Sequence, residues 1–231
     1  MKQKEILSST LQLTDFDMDE IGNDHLGSSY DTPLRDDAFE MGDELKMELI
    51  AKHFKEIMLL LGLDLNDDSL KGTPQRVAKM YVKEIFSGLN PANKPKIKLF
   101  DNKYRYDEML VEKDITFYSN CEHHFVPIIG RAHCAYISSG QVIGLSKINR
   151  IVQHYAKRPQ VQERLTVQIA NELKDALQTE SVAVVLDASH LCVSSRGISD
   201  ITSRTITSQY FGKFKEDSFK NEFLKHITTP A

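Results

Sequence analysis

The sequence predicts an α+β protein, a sheet with helices on one face, and three observations carry that prediction. Strand-like segments recur near residues 109–118, 128–137, 181–188 and 203–211. Two helical patterns stand together between the second and third of them, and two amphipathic helical patterns precede all the strands. With 231 residues, 41% of them hydrophobic, the chain can bury a sizeable core.

The elements follow in order. Residues 1–42 are polar and acidic, and Gly22, Gly27, Ser28, Ser29 and Pro33 break any period, so this stretch is expected to be an arm without catalytic residues. From Asp43, Leu45, Leu49, Ile50, Phe54, Ile57, Met58 and Leu61 recur at helical spacing and stop at Gly62. In "TPQRVAKMYVKEIFSGL", Thr73 is expected to cap a second helix with Pro74 in its first turn and Gly88 at its end, which sets Arg76, Lys79 and Lys83 on one face. Two strands then flank a turn-rich "SSGQ". Ser146 is expected to cap a helix through Tyr155; "KRP" interrupts it, and Val161, Leu165, Ile169, Leu173 and Leu177 mark a longer one. "SVAVVLDA" and "SRTITSQYF" supply the last strands, and a short helix closes the chain.

Charge and cysteine usage exclude several classes. The net charge is −4, yet eleven acids and one base, Arg35, lie between Asp15 and Glu44; the totals of 33 acids and 29 bases leave 22 acids against 28 bases in the rest. The body is basic, which suits an anionic small molecule, but it lacks the Lys/Arg runs of a nucleic-acid face. No signal-type start and no membrane-length apolar run appears, so a cytoplasmic protein with no membrane partner is expected. Three cysteines, Cys121, Cys134 and Cys192, suit metal or redox chemistry better than a disulfide framework.

The densest chemistry is "NCEHHF". Cys121 and His124 have the Cys-x2-His spacing that presents sulfur and imidazole to one metal ion, and Cys192 in "SHLCVSSRG" is the best third donor. If that segment is extended, His190 and Cys192 share a face. Two sulfurs and a nitrogen suit Zn²⁺. Three protein ligands leave a fourth position for a water whose pKa falls to about 7, with His123 and His190 beside the metal as proton carriers. A structural zinc with a fourth ligand, or a pair of redox thiols, fits the same spacing. Lys147 and Arg150 follow Ser146 at a helix start, where bases oppose the dipole unless an external anion is expected. Arg196 adds a positive group four residues beyond Cys192. Glu163 is either a solvated helical residue or a carboxylate that takes two parallel hydrogen bonds, as from a guanine edge. No Gly-x4-Gly-Lys-Ser/Thr loop appears, which excludes the ordinary NTPase reading.

"TPQRVAKMYVKEIFSGL", "SNCEHHFVPI", "GLSKINRIVQ", "RPQVQERLT" and "SHLCVSSRG", in this order, resemble the GTP cyclohydrolase I family, with the likeness running from about Leu45 to near Phe214. The resemblance implies a tunnelling fold (T-fold) in which antiparallel sheets of several subunits close a β-barrel, and a homodecamer with active sites at subunit interfaces. It divides the chain into the acidic arm 1–42 and a domain over 43–231, with a helical part 43–90 and a T-fold catalytic part 91–231. It implies conversion of GTP to 7,8-dihydroneopterin triphosphate and formate, with Cys121, His124 and Cys192 as zinc ligands and His123 and His190 as acid/base groups. Glu163 then matches the guanine-holding glutamate, and Ser146, Lys147, Arg150 and Arg196 match triphosphate contacts. Arg76 and Lys79 match a basic pair that reaches the phosphates from a neighbouring subunit. A GTP-binding module without catalysis would keep Glu163 and the bases but has no use for the two extra histidines, and a redox protein would need neither Glu163 nor the basic cluster.

Overall fold

Helix α1, Asp43–Leu60, forms where the period predicts it, with Asp43 and Glu44 in its first turn complementing the positive end of the dipole. It stops ahead of Gly62, whose φ of 81° is strained for any residue with a Cβ. Helix α2, Thr73–Lys79, starts after Gly72 and has no side-chain cap, so Thr73 is the first helical residue and not the cap. The predicted run to Gly88 is also broken: a π-helical turn, Met80–Ile85, and a 3₁₀ turn, Ser87–Leu89, follow. Gly88 is needed for close approach. A Cβ there would lie 2.0 Å from the His154 carbonyl oxygen, and the bare backbone instead donates to Lys157 O (2.9 Å) and accepts from Arg158 Nε (2.9 Å). The structure, a computed structural model, describes residues 28–229. The expected arm lies outside the described residues up to position 27, and residues 31–42 hold turns but neither helix nor strand.

The sheet contains β2 (Met109–Cys121), β3 (Pro127–Ile137), β5 (Pro159–Gln160), β6 (Val182–His190) and β7 (Thr205–Tyr210) in the order β5-β2-β3-β6-β7. Every pairing is antiparallel except the short one of β5 with β2. A separate two-stranded pairing joins β1 (Leu99–Asp101) to β4 (Gln141–Ile143). Alternation sends Ala132, Cys134 and Tyr136 of β3 and Val182, Val184, Leu186 and Ala188 of β6 to one face. That face is covered by α3 (Leu145–Ala156) and α4 (Gln162–Leu177) through Ile148, Ile151, Val152, Leu165, Ile169 and Leu173. Each such buried side chain contributes roughly 1.5–3 kcal/mol relative to exposure. The α+β class with two long helices on one face is therefore what the chain adopts. The alternate set, Ala135, Ile137, Ala183 and Val185, meets Phe214 and Phe223 from the C-terminal turn and helix α6 (Asp217–Thr228), which cover the opposite face at one end. Cys134 belongs to the core, where burial pushes its thiol well above the usual range.

A polar seam runs under α3 and α4. Arg158 Nη2 donates to His154 Nε2 (2.9 Å), Tyr155 OH donates to Glu172 Oε2 (2.8 Å), and Lys94 pairs with the same carboxylate (2.6 Å). Gln160 Nε2 donates to Tyr155 O and Gln168 Oε1, and Gln168 Nε2 donates to Asp31 Oδ1. Burial first, then Arg158 and Lys94, hold His154 down to about 4. Its folded pKa is below the unfolded value near 6.5, so the unfolded chain takes up the proton first. The stabilisation is complete above pH 6.5 and is lost as pH falls from there toward 4. The urea midpoint should therefore drop between pH 7 and pH 5, and His154→Gln should flatten that drop. An equal drop in the variant would assign the pH dependence to other groups. Among the described residues no helix is long and apolar enough to cross a membrane.

Candidate metal centre and its flanking groups

Strand β2 delivers Cys121 at its end, and a tight connection turns the chain back into β3. Cys121 N–H donates to Val126 O (2.9 Å), Phe125 N–H donates to Cys121 O (2.8 Å), and Phe125 adopts a φ of 54° to close the turn. This curl folds the histidines back over the sulfur: Cys121 Sγ lies 3.7 Å from His123 Nδ1 and 3.9 Å from His124 Nδ1. The Phe125 ring packs edge-on against Phe86 (5.1 Å), so the helical part of the chain touches this loop. The loop is also pinned from β5, where Gln160 O accepts from Glu122 N–H (3.0 Å).

Cys192 approaches from the far side of β3. The register Ile128↔His190 sets the end of β6 beside the start of β3, and the short helix α5 (Leu191–Ser194) then carries Cys192 inward. The extended segment expected through Cys192 is thus corrected: β6 ends at His190, and the two residues are presented by different elements. The outcome for the donors is nonetheless a cluster, with ligand atoms of Cys121, His124 and Cys192 all within 4.8 Å of one another. Burial and the nearby Cys121 sulfur push the Cys192 thiol up to about 11. The Cys192 thiol therefore resists becoming a thiolate without a cation, and a divalent ion bound to it removes that penalty. The donor set, two sulfurs and one imidazole, therefore fits a soft tetrahedral ion. Arg196 reaches the same place, with Nη1 3.1 Å from His124 Nε2.

The flanking groups have their own supports, which sequence reasoning missed. Glu122 takes two hydrogen bonds from Arg164, Nη1 to Oε2 at 2.6 Å and Nη2 to Oε1 at 3.1 Å, and the Arg164 side chain is only 3% exposed. The Glu122 carboxylate stands 3.9 Å from His123 Nε2, outside hydrogen-bond reach, so Glu122 anchors the loop through Arg164. His190 Nε2 lies 2.7 Å from Gln162 Oε1. Burial lowers the His190 pKa while the Glu163 carboxylate, exposed in the first turn of α4, opposes the shift. The only available signal was that Gln162 and Arg164 flank Glu163.

Three of the anion-site candidates sit at a helix start. Ser146, Lys147 and Arg150 occupy the first turns of α3, where Ser146 and Arg150 are exposed and Lys147 Nζ donates to Lys96 O (2.9 Å). Ser146 is not the cap, because Gly144 precedes the helix and no side chain caps it. Arg76 and Lys79 lie on α2, with Arg76 Nη2 donating to Ser69 O (3.1 Å). They stand on a different element from the metal loop.

Comparisons with known proteins agree in direction. The profile of the GTP cyclohydrolase I family matches residues 50–228. A protein of Flavobacterium johnsoniae named GTP cyclohydrolase 1 is 65% identical over 91% of this chain and 94% of its own. Proteins of the same name from Erwinia tasmaniensis (56% identical, 85% of this chain, 90% of its own) and Escherichia coli O1:K1 (57%, 85%, 89%) are also similar. An archaeosine synthase QueF-Like structure in the apo form is a loose likeness, with a TM-score of 0.38 at 18% identity over 45% of this chain and 93% of that one, too distant to inform the site. On the length and identity of these matches, the chain belongs to the GTP cyclohydrolase I family.

Proposed function

We propose that this protein opens the imidazole ring of the guanine of GTP by hydrolysis, releases the ring carbon as formate and forms 7,8-dihydroneopterin triphosphate, the first step of folate and pterin biosynthesis. The observation that carries this reading is the Cys121–His124–Cys192 donor cluster, its ligand atoms within 4.8 Å, with His123 Nδ1 3.7 Å from the Cys121 sulfur and His190 two residues ahead of Cys192. When bound there, Zn²⁺ supplies Lewis acidity and makes water reactive at neutral pH.

The chain's own residues do the rest. Glu163 accepts two parallel hydrogen bonds from the guanine edge and sets the ring against the metal loop. Attack at the imidazole-ring carbon is eased when the adjacent ring nitrogen is protonated, and His123 delivers that proton. His190 moves protons at the opened ring and ribose while the pterin ring closes. Ser146, Lys147, Arg150 and Arg196 hold the triphosphate, joined by Arg76 and Lys79 of a neighbouring subunit.

A cytoplasmic homodecamer with a T-fold barrel accommodates these roles. Two observations support assembly: among the described residues, Leu45, Leu49, Ile57 and Leu60 of α1 remain exposed, and β7 and most of β2 are open sheet edges. The test is direct. Zinc-loaded protein with GTP should release formate and yield a pterin that fluoresces after oxidation. In His123→Ala, zinc should remain while formate release falls about 100-fold or more. Zinc-replete wild type that releases no formate would leave only nucleotide binding, and undiminished formate from the variant would take His123 out of the first step.

A further inference from the structure

We propose that Gln162 is a positioning residue that fixes which nitrogen of His190 faces the substrate: Nε2 is tied as an N–H donor to the Gln162 amide oxygen, and Nδ1 exchanges protons. The inference rests on the acid/base role given to His190 above. It follows from where each proton in a small buried network must go.

Thr166 Oγ1 lies 2.8 Å from the main-chain carbonyl oxygen of Gln162, one turn back in α4. A carbonyl only accepts, so the Thr166 proton points there. Thr166 and Thr207 Oγ1 are 2.6 Å apart, and with the Thr166 proton committed, Thr207 must be the donor of that bond. Thr207 therefore offers only a lone pair to the Gln162 side-chain nitrogen, 3.1 Å away. Two more acceptors, the carbonyl oxygens of Thr205 (2.9 Å) and Leu186 (3.3 Å), face the same nitrogen.

Turning the amide over would set its oxygen against three oxygens with no proton between them. Gln162 is 1% exposed, so water cannot repair that arrangement, and the orientation is locked. The amide oxygen is thus the atom 2.7 Å from His190 Nε2. It carries no hydrogen, so Nε2 must supply one. In the neutral ring Nδ1 is then bare and can take a proton; in the charged ring Nδ1 holds the proton that is passed on. The lock also fixes the ring's rotation, because an imidazole free to turn would present either nitrogen. It draws on α4, β6 and the outermost strand β7, which explains why no short motif announces it.

The experiment compares formate and pterin production in one reaction by zinc-loaded Gln162→Met, which keeps the side-chain length without the amide. Pterin formation should fall about 10- to 100-fold, with formate running ahead of it, because His190 serves the later steps. Equal slowing of both products would mean a merely structural role and would overturn the proposal. Nitrogen-15 shifts of labelled histidines give a readout without turnover: His190 Nε2 should sit in the N–H range in wild type and shift toward an averaged value in the variant. If Gln162→Met does not fold, Thr166→Val with Thr207→Val leaves Gln162 in place and frees its amide. The same lead of formate over pterin, of smaller size, is expected, and an unchanged ratio would overturn the lock. His190→Ala separates the premises. A wild-type ratio in that variant would remove the role of His190, whereas a defect there alongside a wild-type-like Gln162→Met would remove only the lock.

Discussion

Cys192→Ser should lose bound metal and formate release together while keeping its fold. Serine oxygen is a hard, weakly coordinating group at neutral pH, so the substitution leaves Cys121 and His124 as the only matched donors of the cluster. Loss of even an outer partner of a metal ligand costs about 10- to 100-fold in affinity, and loss of a ligand itself should exceed that. Cys192 sits half-buried on the short helix α5 at the margin of the main core, so the melting temperature of the metal-free protein should move little. Metal determination, a formate assay and a thermal melt on wild type and variant decide it. Full metal content with full activity in Cys192→Ser would remove this residue from the donor set.

Arg164→Ala should be the most destabilising single change near the site. It strips the Glu122 carboxylate, itself 19% exposed, of two charge-assisted hydrogen bonds and leaves a charge in a place water reaches poorly. Breaking one partner of a buried pair costs about 3–5 kcal/mol, mostly because the other charge is stranded. Replacing both, as in Glu122→Gln with Arg164→Met, should recover much of that loss. Urea unfolding of the two variants measures the difference. If Arg164→Ala cost under about 1 kcal/mol, the range of exposed surface pairs, the ion pair would not be holding the metal loop.

Local signals in the sequence were legible and long-range ones were not. The strands were visible as short apolar, β-branched segments bounded by turn residues, and Cys121 with His124 because both lie in one tight turn. Thr73 and Ser146 misled for one physical reason: a hydroxyl near a helix start scores as a cap, yet Gly72 and Gly144 turn the chain earlier and leave each hydroxyl inside the helix. The tie between His190 and Cys192 was found through chemistry, while its geometry was misjudged because period-2 logic was carried one turn past the end of β6. The π-helical turn after α2 has no periodic signature. Gln162 and Arg164 read as ordinary helical polar residues. Their burial comes from β7 and from the metal loop, segments 42 to 45 residues away, and no window along the chain spans that distance.

With the proposed roles of His124 at the metal and Arg196 at the triphosphate, the contact between them would make metal and anion binding interdependent. In the arrangement described, the guanidinium donates to His124 Nε2. An ion bound at either ring nitrogen ends that bond: it occupies the Nε2 lone pair, or it takes Nδ1 and forces the remaining hydrogen onto Nε2. Arg196 is then released with its donors free for a phosphate. On those proposed roles, occupancy of one site would raise affinity at the other, and thermodynamic reciprocity requires the converse, so nucleotide should also retain the metal against a chelator.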